Sequence, residues 1–103
     1  MKDEPVNRKT MANRAVWLWS LILSASQEKM PIPCIGIRED DQIFYYWNTE
    51  RYHLKLEINP DMSAEFFFRD RETAEFWGVD CEDDKVFPPR IIDTFHLFTK
   101  DQP

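Results

Sequence analysis

The sequence predicts an α+β domain in which an N-terminal helix packs on a four- to five-stranded antiparallel meander, with a short C-terminal helix or strand. Three observations predict it. Residues 8–28 place Met11, Ala15, Leu18, Ile22 and Ala25 at spacings of three and four, the period of a helix with one apolar face. Between residues 34 and 78 short apolar runs alternate with turn-forming clusters, most clearly at 52–58, where Tyr52, Leu54, Leu56 and Ile58 interleave with His53, Lys55 and Glu57. The connections are short, and short hairpin links join neighbouring strands antiparallel. The chain of 103 residues suffices for one domain with one core, and its 15 aromatic residues supply bulk for it.

Residues 1–7 are polar, include Pro5, and read as disordered, with order expected from about Arg8. The first helix should end before Pro31 and Pro33, which force an extended exit. Its apolar run at 15–23, followed by Ser24-Ala25-Ser26, has the outline of a secretory leader. Asp3 and Glu4 fall where a leader is basic, and the run is too short to span a bilayer, so a folded helix is expected. Trp17 falls near the polar side of that helix. Strands are then expected at 34–38, 42–48, 52–58, 64–69 and 74–78, separated by REDDQ, NTER, NPDMS and DRET, whose Asp, Asn and Pro residues favour turns. The acidic stretch at 78–89 reads as irregular. Beyond it Ile91, Ile92, Phe95 and Phe98 share one helical face, with Pro89 suited to a first turn.

Alternation assigns Tyr52, Leu54, Leu56, Ile58, Phe66 and Phe68, together with Ile43, Tyr45 and Trp47, to the face under the helix. That leaves a second aromatic set, Phe44, Tyr46, Phe67 and by the same reading Trp77, on the other face, accompanied by His53, Lys55, Glu57, Glu65 and Arg69. Either the C-terminal segment covers these rings or they form an interface with an aromatic centre and a charged rim.

The pieces PIP, REDDQIFYYW, YHLKLEINPD and AEFFFRD resemble a group of small uncharacterised bacterial proteins that share a helical start and a β-meander. The likeness spans about a third of the chain, and Asp40-Asp41 stands where the group commonly has glycine. It implies the fold and a bacterial or mobile-element origin, and it brings no catalytic residues.

The net charge is −6: residues 1–30 hold five basic and three acidic residues, residues 31–103 eight and sixteen. An acidic sheet half argues against phosphate-backbone binding and suits a basic protein partner or simple solubility. With only Gly36 and Gly78, the chain has no glycine-rich phosphate loop. Cys34, Cys81, His53 and His96 form no close ligand pair, so neither metal nor other cofactor is expected. Both cysteines read as reduced and buried, which points to the cytoplasm. Cys34, set between Pro33 and Ile35, lacks the open polar surroundings of a catalytic thiol. The carboxylate clusters Glu39-Asp40-Asp41, Asp70-Glu72-Glu75 and Glu82-Asp83-Asp84 fall in expected turns, where solvated acid is the ordinary explanation.

These readings converge on a non-catalytic interaction protein without a membrane segment, of inhibitor type: antitoxin, immunity or anti-defence protein. It would bind another protein, a basic nucleic-acid-binding one among the candidates, or a second copy as a homodimer. The candidate contact residues are Phe44, Tyr46, Phe67, Lys55, Arg69 and Trp17. The alternatives are a nucleic-acid-binding module using the aromatic face and a small hydrolase.

Overall fold

A computed structural model describes residues 4–61, 63–81 and 87–99. Helix α1 (Glu4–Ala25) precedes five strands, β1 (Cys34–Ile37), β2 (Ile43–Asn48), β3 (Tyr52–Ile58), β4 (Ala64–Asp70) and β5 (Glu75–Asp80), and helix α2 (Pro89–Thr99) follows them. The strands form one antiparallel sheet in sequence order. This is the α+β meander that the alternation predicts. The helix starts at Glu4 rather than near Arg8. Pro5 fits the first turn, where the N–H that it lacks would have no helical partner. It ends at Ala25, earlier than the prolines require, because Gln27 and Glu28 adopt left-handed φ of 56° and 63° and reverse the chain.

Each hairpin turn is set by a side-chain oxygen that accepts the amide two residues on. Asp40 Oδ1 accepts from Gln42 (3.1 Å), Thr49 Oγ1 from Arg51 (3.2 Å), Asp61 Oδ1 from Ser63 (2.9 Å) and Asp70 Oδ1 from Glu72 (2.9 Å). Part of the chain's acidity is therefore turn chemistry. Glu82, Asp83 and Asp84 lie outside the described residues.

The core lies on one face of the sheet. Met11, Ala15, Leu18 and Ile22 of α1 meet Ile43, Tyr45, Trp47, Leu54, Leu56, Ile58, Phe66 and Phe68, all buried. Trp19 stacks on Trp47 and meets Tyr45 edge-on, with centroids 6.5 and 6.3 Å apart. The Tyr45 hydroxyl donates to Ala15 O (2.7 Å) and Trp47 Nε1 to Pro31 O (2.8 Å), so two buried rings carry their polar atoms to backbone partners. Burial pushes the Tyr45 phenol pKa up.

Helix α2 packs on this same face. Phe95 and Phe87 meet Phe66 edge-on at 6.0 and 5.6 Å, and Phe98 lies 6.1 Å from Tyr52. The C-terminal segment thus covers the β3–β4 half of the core that α1 leaves bare. Its described residues, 87–99, do not cover the second aromatic face.

Two further expectations are corrected. As the edge strand, β1 turns Cys34 to the uncovered face opposite Tyr46, so Cys34 is exposed; only Cys81 is buried, and neither is in a disulfide. Trp77 lies on the core side rather than with the second aromatic set. It stacks on the core ring of Phe68 at 5.1 Å, under the Arg90 guanidinium at 4.2 Å.

Leu56→Ala is expected to cost about 2–5 kcal/mol in urea titration, as a fully buried leucine that leaves a cavity. Ala74→Gly should do the opposite. Ala74 holds a left-handed φ of 66° in the β4–β5 turn, and relief there should add roughly 0.5–1 kcal/mol.

Asp70 supplies a pH signature. Its carboxylate takes a two-pronged bond from Arg51, Nε and Nη2 each at 3.0 Å, and amide bonds from Glu72 and Thr73. These hold its pKa down, from 3.8 to about 2. A depressed folded-state value stabilises fully above the unfolded value and is lost as pH falls through the folded one. Urea midpoints of the native chain and Asp70→Asn should therefore converge between pH 4 and 2. A constant gap across that window would contradict the pairing.

Candidate functional site: an uncovered aromatic sheet face

Antiparallel pairing sets the second face in three ranks that run across the strands. The first is Gly36, Phe44, Glu57, Glu65 and Asp80; the second Cys34, Tyr46, Lys55, Phe67 and Gly78; the third Asn48, His53, Arg69 and Phe76. Five of the six predicted contact residues, Phe44, Tyr46, Phe67, Lys55 and Arg69, come together here. Trp17 does not join them. It is 40% exposed on the solvent side of α1, with the Arg14 guanidinium 5.5 Å from its ring, and the thickness of both layers separates it from the face.

The rings lie low on the sheet, and the chain's only two glycines are the reason. Gly36 on β1 sits beneath Phe44, so a Cβ there would overlap the ring. Gly78 on β5 sits beneath Phe67, where a Cβ would stand 3.2 Å from Cδ1. Each phenyl leans outward from an inner strand over the bare backbone of its neighbour, an aromatic covering of an edge glycine. Phe44 also stacks with Tyr46 at 5.9 Å and receives the Arg38 guanidinium at 5.2 Å, while Lys55 Nζ lies 5.7 Å from the Phe67 centroid. All three rings are half-buried.

Phe76, 68% exposed and paired with Arg69, extends the face onto β5. Sequence reasoning missed it in favour of Trp77. The parity of β5 depends on the four-residue turn at 71–74, which no alternation inside the strand reveals. His53, Lys55, Phe67 and Phe76 border a shallow depression of about 190 Å³.

Charge is sorted along the strand direction. Glu57, Glu65 and Asp80 stand abreast in the first rank, an arrangement that costs free energy because like charges face across strands. Lys55 relieves Glu57 at 2.9 Å. Glu65 keeps a raised pKa, from burial first and then from Asp80 and Glu57. At the other end His53, hydrogen-bonded through Nδ1 to Asn48 Oδ1 at 2.6 Å, has its pKa lowered, by burial first and then by Arg71, Lys55 and Arg69. Arg71 is itself fixed there, donating to Thr49 O (2.7 Å) and Asn48 Oδ1 (2.9 Å).

Among the described residues no three His, Cys, Asp or Glu side chains converge as metal ligands would, and no helix is long and apolar enough to cross a membrane. Cys34 and His53 stand in different ranks, two strands apart, whereas Asp70, Glu72 and Glu75 gather at the β4–β5 turn, where Arg51 pairs with Asp70 and Glu72. No protein-family model, curated protein or solved structure matches the chain.

His53 reports on the charged end. Its imidazole should titrate below the ordinary 6.5 in a nuclear magnetic resonance pH series, and Arg71→Gln should move the midpoint upward. Because the folded value is depressed, His53 favours the fold above pH 6.5 and loses that contribution on acidification. A midpoint above 6.5 would show that the cations do not act on it.

Proposed function

We propose that this chain is a non-catalytic interaction protein that binds another protein through the uncovered sheet face. The single observation that carries the reading is that both helices pack on the opposite face while Phe44, Tyr46, Phe67 and Phe76 lie toward solvent. Aromatic rings at the centre with charges around them make the ordinary composition of a protein interface.

The charges describe the partner. Beyond the Lys55–Glu57 ion pair, like charge gathers at both ends: Asp80 and Glu57 raise the Glu65 pKa at one, and Arg71, Lys55 and Arg69 lower that of His53 at the other. A surface with an apolar centre, a cation set against Glu65 and Asp80 and a carboxylate set against Arg69 would relieve both. Inhibition is the role that best fits so small and acidic a chain: an antitoxin, immunity or anti-defence protein of bacterial or mobile-element origin. Cysteines outside any disulfide, Cys34 and Cys81, suit a reducing cytoplasm.

A second reading has one observation in its favour. Rings lying flat on a sheet are the stacking platform used by single-strand nucleic-acid binders. The carboxylates of the first rank share that platform and repel a phosphate backbone, so protein binding is preferred.

Affinity purification from the source organism, comparing the native chain with Phe67→Glu and Trp17→Glu, tests the reading. A specific partner should be retained by Trp17→Glu and lost by Phe67→Glu, with far-ultraviolet dichroism unchanged in both. Loss through Trp17→Glu alone would move the site to α1. Retention of labelled oligonucleotide at about 0.15 M salt, abolished by Phe67→Glu, would favour the nucleic-acid reading instead.

A further inference from the structure

We propose that β1 is a homodimerisation edge, where two copies of this chain join their sheets into one ten-stranded sheet around a two-fold axis at Gly36. The surface is separate from the aromatic face and does not depend on the partner proposed for it.

The observation is an unguarded apolar edge. Ile35 and Ile37 pair with Tyr45 and Ile43, so they sit on the helix-covered side of the sheet, yet they are 62% and 71% exposed. The helical layer stops at β2: α1 meets Tyr45 and Trp47 and leaves a groove of about 380 Å³ with an apolar floor of Met11, Ala12, Ile37 and Ile43, bordered at the turn by Arg38, Glu39 and Asp41. Ile32 is 85% exposed just before the strand, and residues 30–37 contain no charge in a chain that is 31% charged. Edges are ordinarily guarded by charged side chains. The other edge, β5, has Glu75 and Asp80 at its two ends.

The backbone selects a second copy as the occupant. Arg38 N–H donates to Gln42 O (2.8 Å), which makes Arg38 and Gln42 a hydrogen-bonded pair in the β1–β2 ladder. Such pairs alternate, so Gly36 and Cys34 also bond to β2, while the amides and carbonyls of Ile35 and Ile37 point to the free edge. With the axis at Gly36, Ile35 of one copy faces Ile37 of the other, and the two such pairs exchange four hydrogen bonds. All four isoleucines then form one apolar row over the joined grooves. An axis at Ile35 would set Ile37 against Pro33, which has no N–H, and would lose bonds.

Charge agrees with this register. Each acidic turn, Glu39 to Asp41, comes to the end of the joint at which β1 of the other copy begins. The two acidic turns lie roughly 25 Å apart, beyond a Debye length of about 8 Å at physiological salt.

The contact is small, so association should be weak and concentration-dependent. Sedimentation velocity from about 1 to about 300 µM should show a monomer passing to a dimer. Ile37→Lys, at an exposed position, should weaken the dimer at least about tenfold without changing the melting temperature, and Phe67→Glu should leave it intact. Register is read by oxidising a mixture of Ile35→Cys and Ile37→Cys chains, each also carrying Cys34→Ser. The 35–37 cross-link should dominate, because facing hydrogen-bonded residues stand about 5.5 Å apart at Cα and diagonal ones about 7–8 Å. A monomer throughout the range, a dimer indifferent to Ile37→Lys, a dimer abolished by Phe67→Glu, or dominant 35–35 and 37–37 cross-links would each overturn the proposal.

Discussion

Both helices bury their apolar stripes against the same face of one sheet, and the remaining features follow from that constraint. Helix α1 is anchored over β2, where Trp19 packs on Tyr45 and Trp47 and the Tyr45 hydroxyl bonds to Ala15 O. Helix α2 takes the β3–β4 half, where Phe95 and Phe98 meet Phe66 and Tyr52. Two helices spaced in this way fill the middle of a five-stranded sheet and stop short of β1, so Ile35 and Ile37 stay bare on the side where a core would otherwise continue.

The same constraint leaves the other face to manage its own aromatics. Phe44 and Phe67 cannot enter a second core, so they lie over the backbone of Gly36 and Gly78 and shed part of their exposure there. This economy keeps the domain in two layers and sets the rings flat, with cations against them. A face of this kind tolerates water, since Phe44, Tyr46 and Phe67 are half-buried and charge surrounds them, and it still offers apolar area to a partner. The like charges gathered around Glu65 and around His53 point the same way, because neither set lowers the energy of the isolated fold.

Much of this was legible in the residues. Strand β3 was readable to its ends because alternation with one face buried fixes register, and the helical stripe from Met11 to Ile22 was readable because its spacing admits no other face. Five of the face residues followed from the same parity. What stayed hidden was relational. Nothing in Ile91, Phe95 and Phe98 says which side of the sheet their helix will take; that depends on the core area α1 leaves bare. Cys34 has an apolar neighbourhood in sequence and an exposed place in space, because β1 is an edge. Phe76 and Trp77 exchanged roles because a turn with Ala74 in a left-handed conformation sets the parity of β5. The purpose of the two glycines emerges only when the strands that carry them are seen beside Phe44 and Phe67.

The central claim is that one sheet face is core and the other is open. Paramagnetic relaxation of aromatic ring signals by a soluble probe tests it most directly. At low protein concentration the rings of Phe44, Tyr46, Phe67 and Phe76 should relax strongly, and those of Tyr45, Phe66 and Phe95 should be nearly silent. Equal protection of Phe67 and Phe66 in the monomer would mean that the chain itself covers the second face, and would contradict an open aromatic surface.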